Sequence, residues 1–221
     1  MNATRMGPEM KALLLDFDGV VVRSMESHYE GWRRALSEYG IDMSPEELYV
    51  LEGQNLETVA NQIVRKFNLP FEETPRLIEK KQYYYDKIKK MESYPYLIDV
   101  LRWAKEKELK IALVTGSTRQ QVQQALESFG LENYFDVIVT ADDVQFTKPS
   151  PEPYLTAAER LQVDPDACVV IENAPLGIRS ARNAGMRCIA ITTTLPAPFL
   201  KEADVVVNDF QEVLNALKKL Y

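Results

Sequence analysis

Six short apolar runs punctuate this chain, at residues 12–15, 111–114, 137–139, 168–171, 188–191 and 205–207. Each is apolar throughout rather than alternating, which marks a strand covered on both faces. Between the later runs lie segments with helical spacing at 97–107, 119–129, 151–161 and 176–184. Strands that alternate with helices are joined by right-handed crossovers, so the expected class is α/β, a doubly wound and mostly parallel sheet.

The interval from about residue 25 to 92 breaks that rhythm. It has no β run and reads as successive helices: one through Trp32, Ala35 and Leu36, one starting near Ser44, one over 56–67 and one over 74–91. Ser44, Pro45 and Glu47 supply a cap, a first-turn proline and a capping-box glutamate. The chain is therefore expected to have a core of residues 1–23 and 94–221 and an inserted helical cap of residues 24–93. Tyr83, Tyr84 and Tyr85 occupy consecutive helix positions that point in different directions, so they are read as packing residues rather than a stacking platform.

Length and composition exclude several partners. The 221 residues suffice for one core and a small insert, and 46% apolar with 27% charged residues is ordinary for a globular chain. The net charge of −7 argues against nucleic acid as a partner. No apolar run is long enough for a membrane span, and the first ten residues lack the apolar stretch of a signal peptide. Cys168 and Cys188 lie within apolar runs, as thiols of a reducing compartment do, so a cytoplasmic location is expected. A monomer is the favoured state.

Chemistry enters at the end of the first run, where Asp16-Phe17-Asp18-Gly19-Val20 follows directly. Ligands of parallel sheets bind beyond the carboxyl ends of the strands. If the chain turns after Asp16, as Gly19 permits, two carboxylates converge, and a divalent cation is the usual compensation for their repulsion. The alternative is a pair of solvated strand-end carboxylates. A calcium loop is excluded, because glycine stands fourth rather than sixth and valines follow.

Three further strand ends bear functional groups. Thr115-Gly116-Ser117-Thr118 offers hydroxyls and helix-start N–H groups that suit a phosphate oxygen, although such residues also simply cap helices. Lys148 is flanked by Pro149 and Pro151, which stiffen the backbone around a single charge. Glu172-Asn173 offers two oxygen donors where a cation held by Asp16 would be shared.

An acid pair, a hydroxyl turn, a lysine loop and an acidic strand end, in that order, resemble the four motifs of the haloacid dehalogenase-like superfamily. The insert after the first motif is similar to the cap of its β-phosphoglucomutase-like branch. Gly177-Ile178 and Ala184-Gly185-Met186 add to the likeness. The resemblance implies that Asp16 is the nucleophile and Asp18 the general acid/base. It implies Mg²⁺ held by Asp16, the Asp18 carbonyl, Glu172 and Asn173. Thr115, Gly116, Ser117 and Lys148 would hold the phosphoryl oxygens. Asp18 counts against a dehalogenase, and the lack of a lysine after the Gly53 turn counts against phosphonate cleavage.

Three positions depart from the pattern: Arg23 for an acidic residue, Asn173 for aspartate and Thr147 for glycine. His28 is the only histidine and either faces the cleft or packs in the cap. The expected function is a Mg²⁺-dependent phosphatase acting on a small phosphorylated metabolite, a sugar phosphate. The alternative is a β-phosphoglucomutase-type hexose phosphomutase. A non-catalytic metabolite-binding protein is disfavoured by the intact Asp16, Asp18 and Lys148. A mutase needs a second cationic site, yet the cap turn reads Leu51-Glu52-Gly53-Gln54, and Arg119 is the one nearby cation the sequence offers.

Overall fold

A computed structural model describes residues 8–90 and 92–221. The chain forms β1 (Ala12–Leu15), α1 (Met25–Ser37), α2 (Pro45–Tyr49), α3 (Leu56–Lys66), α4 (Thr74–Ile88) and α5 (Leu97–Glu106). It continues through β2 (Lys110–Val114), α6 (Arg119–Phe129), β3 (Val137–Val139), α7 (Glu152–Leu161), β4 (Cys168–Glu172) and α8 (Pro175–Asn183). It ends with β5 (Arg187–Ile191), β6 (Val205–Val207) and α9 (Phe210–Leu220). The expected helix over 74–91 ends at Ile88; Met91 and residues 1–7, which the sequence assigns to the cap and the core, lie outside the described residues.

All six strands are parallel, in the order β3-β2-β1-β4-β5-β6. The two faces of the sheet differ in side-chain size, and that difference fixes the layers. Leu13, Leu15, Ile111, Leu113, Val169 and Ile171 pack toward α5, α6 and α9, with Val100, Val122 and Leu217 among their neighbours. The alternate positions are smaller, including Ala12, Ala112, Cys168 and Ala190, and lie against α7 and α8. Both faces are thus covered, as a parallel sheet requires.

β1 is central, and its neighbours β2 and β4 are reached by connections that leave toward opposite edges. Leu15 is level with Leu113 on one side and Ile171 on the other. The carboxyl ends of three strands therefore open together at the switch point, where a crevice forms.

Between β1 and β2 the chain builds a helical insert around Trp32, Leu36, Met43, Leu48, Ile63 and Leu77. Gly31 lets α1 and α4 approach closely, since a Cβ there would stand 3.2 Å from the Lys81 carbonyl oxygen. Ser44 and Glu47 form the expected capping box. The two connections to the core pair with each other: Val22 bridges Ser93, and the Arg23 amide donates to the Glu92 carbonyl at 2.8 Å. Among the described residues no helix is long and apolar enough to cross a membrane.

Candidate active site

A cleft of about 670 Å³ lies between the sheet's carboxyl edge and the insert. Asp16 leaves β1 still bonded to the sheet, its amide donating to the Ile171 carbonyl. The chain then turns, with Gly19 at φ +88°, and Asp18 faces the same cleft. The two carboxylates converge as the turn at Gly19 allows.

Lys148 is the electrostatic centre of the site. Its Nζ donates to Asp16 Oδ1 at 2.5 Å, to Glu172 Oε1 at 2.7 Å and to the Val114 carbonyl at 3.1 Å, and its side chain is 1% exposed. Burial acts to lower the Lys148 pKa, but the charges and hydrogen bonds of Asp16 and Glu172 outweigh it and push it up to about 12. Asp16 is pushed upward by burial, against the pull of Lys148, and Glu172 and Asp18 add to the rise. The Lys148–Pro149 peptide bond is cis.

Asp18 is held differently. Ser24 Oγ and Ser117 Oγ donate to its two oxygens at 2.5 and 2.7 Å, and His28 Nε2 lies 3.3 Å from Oδ1. Burial would raise this carboxyl, yet the bonds from His28, Ser24 and Ser117 prevail and hold it at about 2. Lys81 Nζ approaches His28 Nδ1 at 3.1 Å. An ammonium can only donate, so Nδ1 accepts and the proton sits on Nε2, facing Asp18.

The sequence expectations fare unevenly. Thr115, Gly116 and His28 line the cleft, so His28 takes the cleft-facing alternative. Ser117, expected at the phosphoryl group, instead donates to Asp18. Glu172, expected as a cation ligand, has its four acceptor positions filled: Lys148 and Tyr154 donate to Oε1, and the Asn173 and Ala174 amides donate to Oε2. Gly177 makes room for this carboxylate, since a Cβ there would meet Oε1 at 1.7 Å. Arg119, expected to bind phosphate, does not line the cleft; its guanidinium is taken by Asp143 at 2.5 Å and the Ile138 carbonyl.

Two cations line the cleft from the insert, both missed by the sequence reading: Lys89, exposed and paired with Asp86, and the buried Lys81. The signal for Lys81 was a lysine on an apolar helix face, at spacing four from Leu77 and Tyr85. It lies over the Tyr85 ring, 4.5 Å from the centroid, and Tyr85 in turn stacks on His28. Tyr83 is exposed and Tyr84 donates to Glu38, so the three tyrosines do point apart. Burial pulls Lys81 down to about 8, with Glu52 and Asp18 opposing. Glu52, also in the cleft, is pushed up to about 8 by burial and then by Asp18.

The insert is closed onto the core at its turn. A Cβ on Gly116 would stand 2.5 Å from the Gln54 carbonyl oxygen, and one on Gly53 would stand 3.0 Å from Lys148 Cδ. Among the described residues no three carboxylate, imidazole or thiol side chains cage a cation by themselves. A smaller donor set fits Mg²⁺. It comprises the Asp16 carboxylate, the Asp18 carbonyl and Asn173 Oδ1, a buried oxygen without a hydrogen-bond partner. Mg²⁺ takes one or two carboxylates and leaves other positions to water and phosphate.

A crevice at the switch point of a parallel sheet, holding an acid pair and a buried lysine, defines a class of α/β enzymes with a helical lid. Residues 13–191 match the family described as haloacid dehalogenase-like hydrolase. The phosphorylated carbohydrates phosphatase of Thermotoga maritima is 30% identical over 96% of this chain and 100% of its own. The validoxylamine A 7'-phosphate phosphatase of Streptomyces hygroscopicus subsp. limoneus is 30% identical over 92% of this chain and 95% of its own. The crystal structure of β-phosphoglucomutase from Clostridium difficile superposes with a TM-score of 0.83 at 28% identity, over 96% of this chain and 97% of that one. The chain belongs to the haloacid dehalogenase-like hydrolase family, and its kinship with named phosphatases makes it an enzyme of the phosphoric monoester hydrolase kind.

Proposed function

We propose that this protein is a Mg²⁺-dependent phosphatase of a small phosphorylated metabolite, a sugar phosphate, working through an aspartyl-phosphate. The observation that carries the reading is Lys148 Nζ bridging Asp16 and Glu172 beneath a cleft that also holds Asp18. Asp16 attacks phosphorus, the bond from phosphorus to the ester oxygen breaks, and Asp18 gives its proton to the departing alkoxide. Water then attacks the phosphorylated Asp16, loses its proton to Asp18, and inorganic phosphate leaves. The bonds from Ser24, Ser117 and His28 hold Asp18 ionised in this structure, the form that serves the second half. The first half requires one of those bonds to be exchanged for a proton when substrate enters. Bound Mg²⁺ neutralises charge on the transferring phosphoryl group. The Gly116 amide holds a phosphoryl oxygen, and closure of the Gly53–Gln54 turn excludes water. Lys148, whose three N–H bonds go to Asp16, Glu172 and the Val114 carbonyl, supplies positive charge beneath the transferring group.

The sugar assignment draws on the named relatives and on the cleft-lining amides of Gln120 and Gln124, which offer hydroxyl groups both donors and acceptors, with one further amide end each from Asn55, Gln82 and Gln121. The free, buried Cys168 and Cys188 support a cytoplasmic setting. A phosphate-release screen over sugar monophosphates with Mg²⁺ tests the reading. Turnover should fall by roughly 10³-fold or more in Asp16→Asn with the fold retained, and near-normal turnover there removes the covalent step.

Lys81 gives the mutase reading its footing, since a bisphosphate needs a second cation in the cleft. Glu52 opposes it only where it is ionised, above its raised value of about 8, since a carboxylate in the same cleft then repels that phosphate. Incubation with β-glucose 1-phosphate and a trace of the bisphosphate separates the two. Steady phosphate release with no net glucose 6-phosphate supports the phosphatase, and rapid isomerisation with little free phosphate supports the mutase.

A further inference from the structure

The loop after β5 belongs to none of the four motifs, yet it grips two of them. Thr193 Oγ1 donates to the Gly19 carbonyl at 2.6 Å, fixing the acid turn. The next residue, Thr194, reaches Asn173: the amide nitrogen Nδ2 donates to Thr194 Oγ1 at 3.0 Å, and Thr194 Oγ1 donates to the Asn173 carbonyl at 3.4 Å.

The direction of these bonds decides which way the amide faces. A hydroxyl has one hydrogen, and that hydrogen goes to the Asn173 carbonyl, so only a lone pair remains for the side chain. The atom meeting that lone pair must be the donor Nδ2. Nδ2 also packs over Gly19, where a Cβ would lie 2.1 Å from it. Oδ1 is left turned away from Thr194, buried and unpartnered, in a residue that is 1% exposed and lines the cleft. A buried oxygen left without a donor or a cation is unfavourable, so Oδ1 calls for a partner.

We propose that Thr194 is a positioning residue of the cation site, which holds the Asn173 amide with its oxygen rather than its nitrogen toward the bound ion. The proposal rests on the Mg²⁺ reading above. An aspartate has two equivalent oxygens and needs no such orientation, whereas an asparagine presents a ligand in only one of two amide orientations. Asn173 in a position where carboxylate is usual therefore creates the need that Thr194 meets.

Mn²⁺ binding to the substrate-free protein, followed by the loss of the free-ion electron paramagnetic resonance signal, tests this without relying on turnover. Thr194→Val and Thr194→Ala should each weaken Mn²⁺ binding about tenfold, the scale of a lost outer-sphere partner, while Thr194→Ser binds as the unmodified protein does. In the Asn173→Asp background the same Thr194→Val change should alter binding less than about twofold, because the two positions couple only through the amide. Equal weakening in both backgrounds, or none in either, overturns the proposal. Thermal melts identify a variant that has not folded, and the remaining Thr194 variants then carry the comparison. If the unmodified protein takes up no Mn²⁺, the cation reading itself fails and this inference falls with it.

Discussion

His28 Nε2 stands 3.3 Å from Asp18 Oδ1, and it arrives there from the helical insert, while Asp18 belongs to the strand-bearing core. Burial and then Lys81 lower the His28 pKa below its usual value, and the bond to Asp18 works against them. His28 is the only histidine, so its imidazole resonances can be followed without assignment ambiguity. It should titrate below the ordinary value of 6.5, move upward in Lys81→Met and move further down in Asp18→Asn. An unshifted His28 in both variants would show that the three side chains do not meet in solution.

The carboxyl of Glu52 gives a pH-dependent stability. Its folded pKa is raised from 4.5 to about 8, so between those values the folded chain holds a proton that the unfolded chain has released. Stability therefore falls as pH rises through that window. Glu52→Gln should remove the dependence, raising the melting temperature by about 2–4 °C at pH 8 and leaving it unchanged at pH 4. A gain of equal size at both values would assign the effect to packing.

Gly116 has a steric role that a turn glycine alone would not reveal. The Cβ of Gly116→Ala would meet the Gln54 carbonyl oxygen at 2.5 Å, and backbone on both sides leaves no flexible atom to yield. The insert turn should be held off the core. We expect kcat/KM to drop about 10–100-fold, the cost of an ångström-scale misplacement, with the melting temperature nearly unchanged. Unimpaired turnover would show that closure over Gly116 is not needed for chemistry.

Arg119 supplies a contrasting case. Its ion pair with Asp143 is about two-fifths exposed on the arginine side, and such pairs contribute at most about 1 kcal/mol. Arg119→Ala should leave kcat/KM within about twofold while lowering stability by no more than that amount. A large rise in KM would return this arginine to the substrate.

The strands of the core and the helices of both core and insert were legible because each is written in local pattern: uninterrupted apolar runs, a capping box at Ser44, glycine where the chain reverses. The gathering of Asp16, Asp18 and Lys148 was legible for a related reason, since the two aspartates follow β1, the lysine lies in the loop after β3, and a parallel sheet brings strand ends to one edge. Lys81, Ser24 and Thr194 were not. Each reaches the site from a helix, a connection or a loop whose placement depends on how the insert packs and how β5 lies in the sheet. No spacing along the chain encodes those distances.

The reassignments of Ser117, Glu172 and Arg119 share one cause. Sequence offers each as a donor, an acceptor or a charge, but competition among neighbours decides which partner it takes. Asp143 captures Arg119, and Lys148 with Tyr154 and two amides saturates Glu172. The sequence by itself determined the α/β class, the acid turn and the lysine, because periodicity and strand order are local properties that survive without coordinates. Only the tertiary structure decided which two carboxylates Lys148 bridges, which two serines hold Asp18 and which way Asn173 turns, because hydrogen bonds are won by distance and direction, and both are set when remote segments pack.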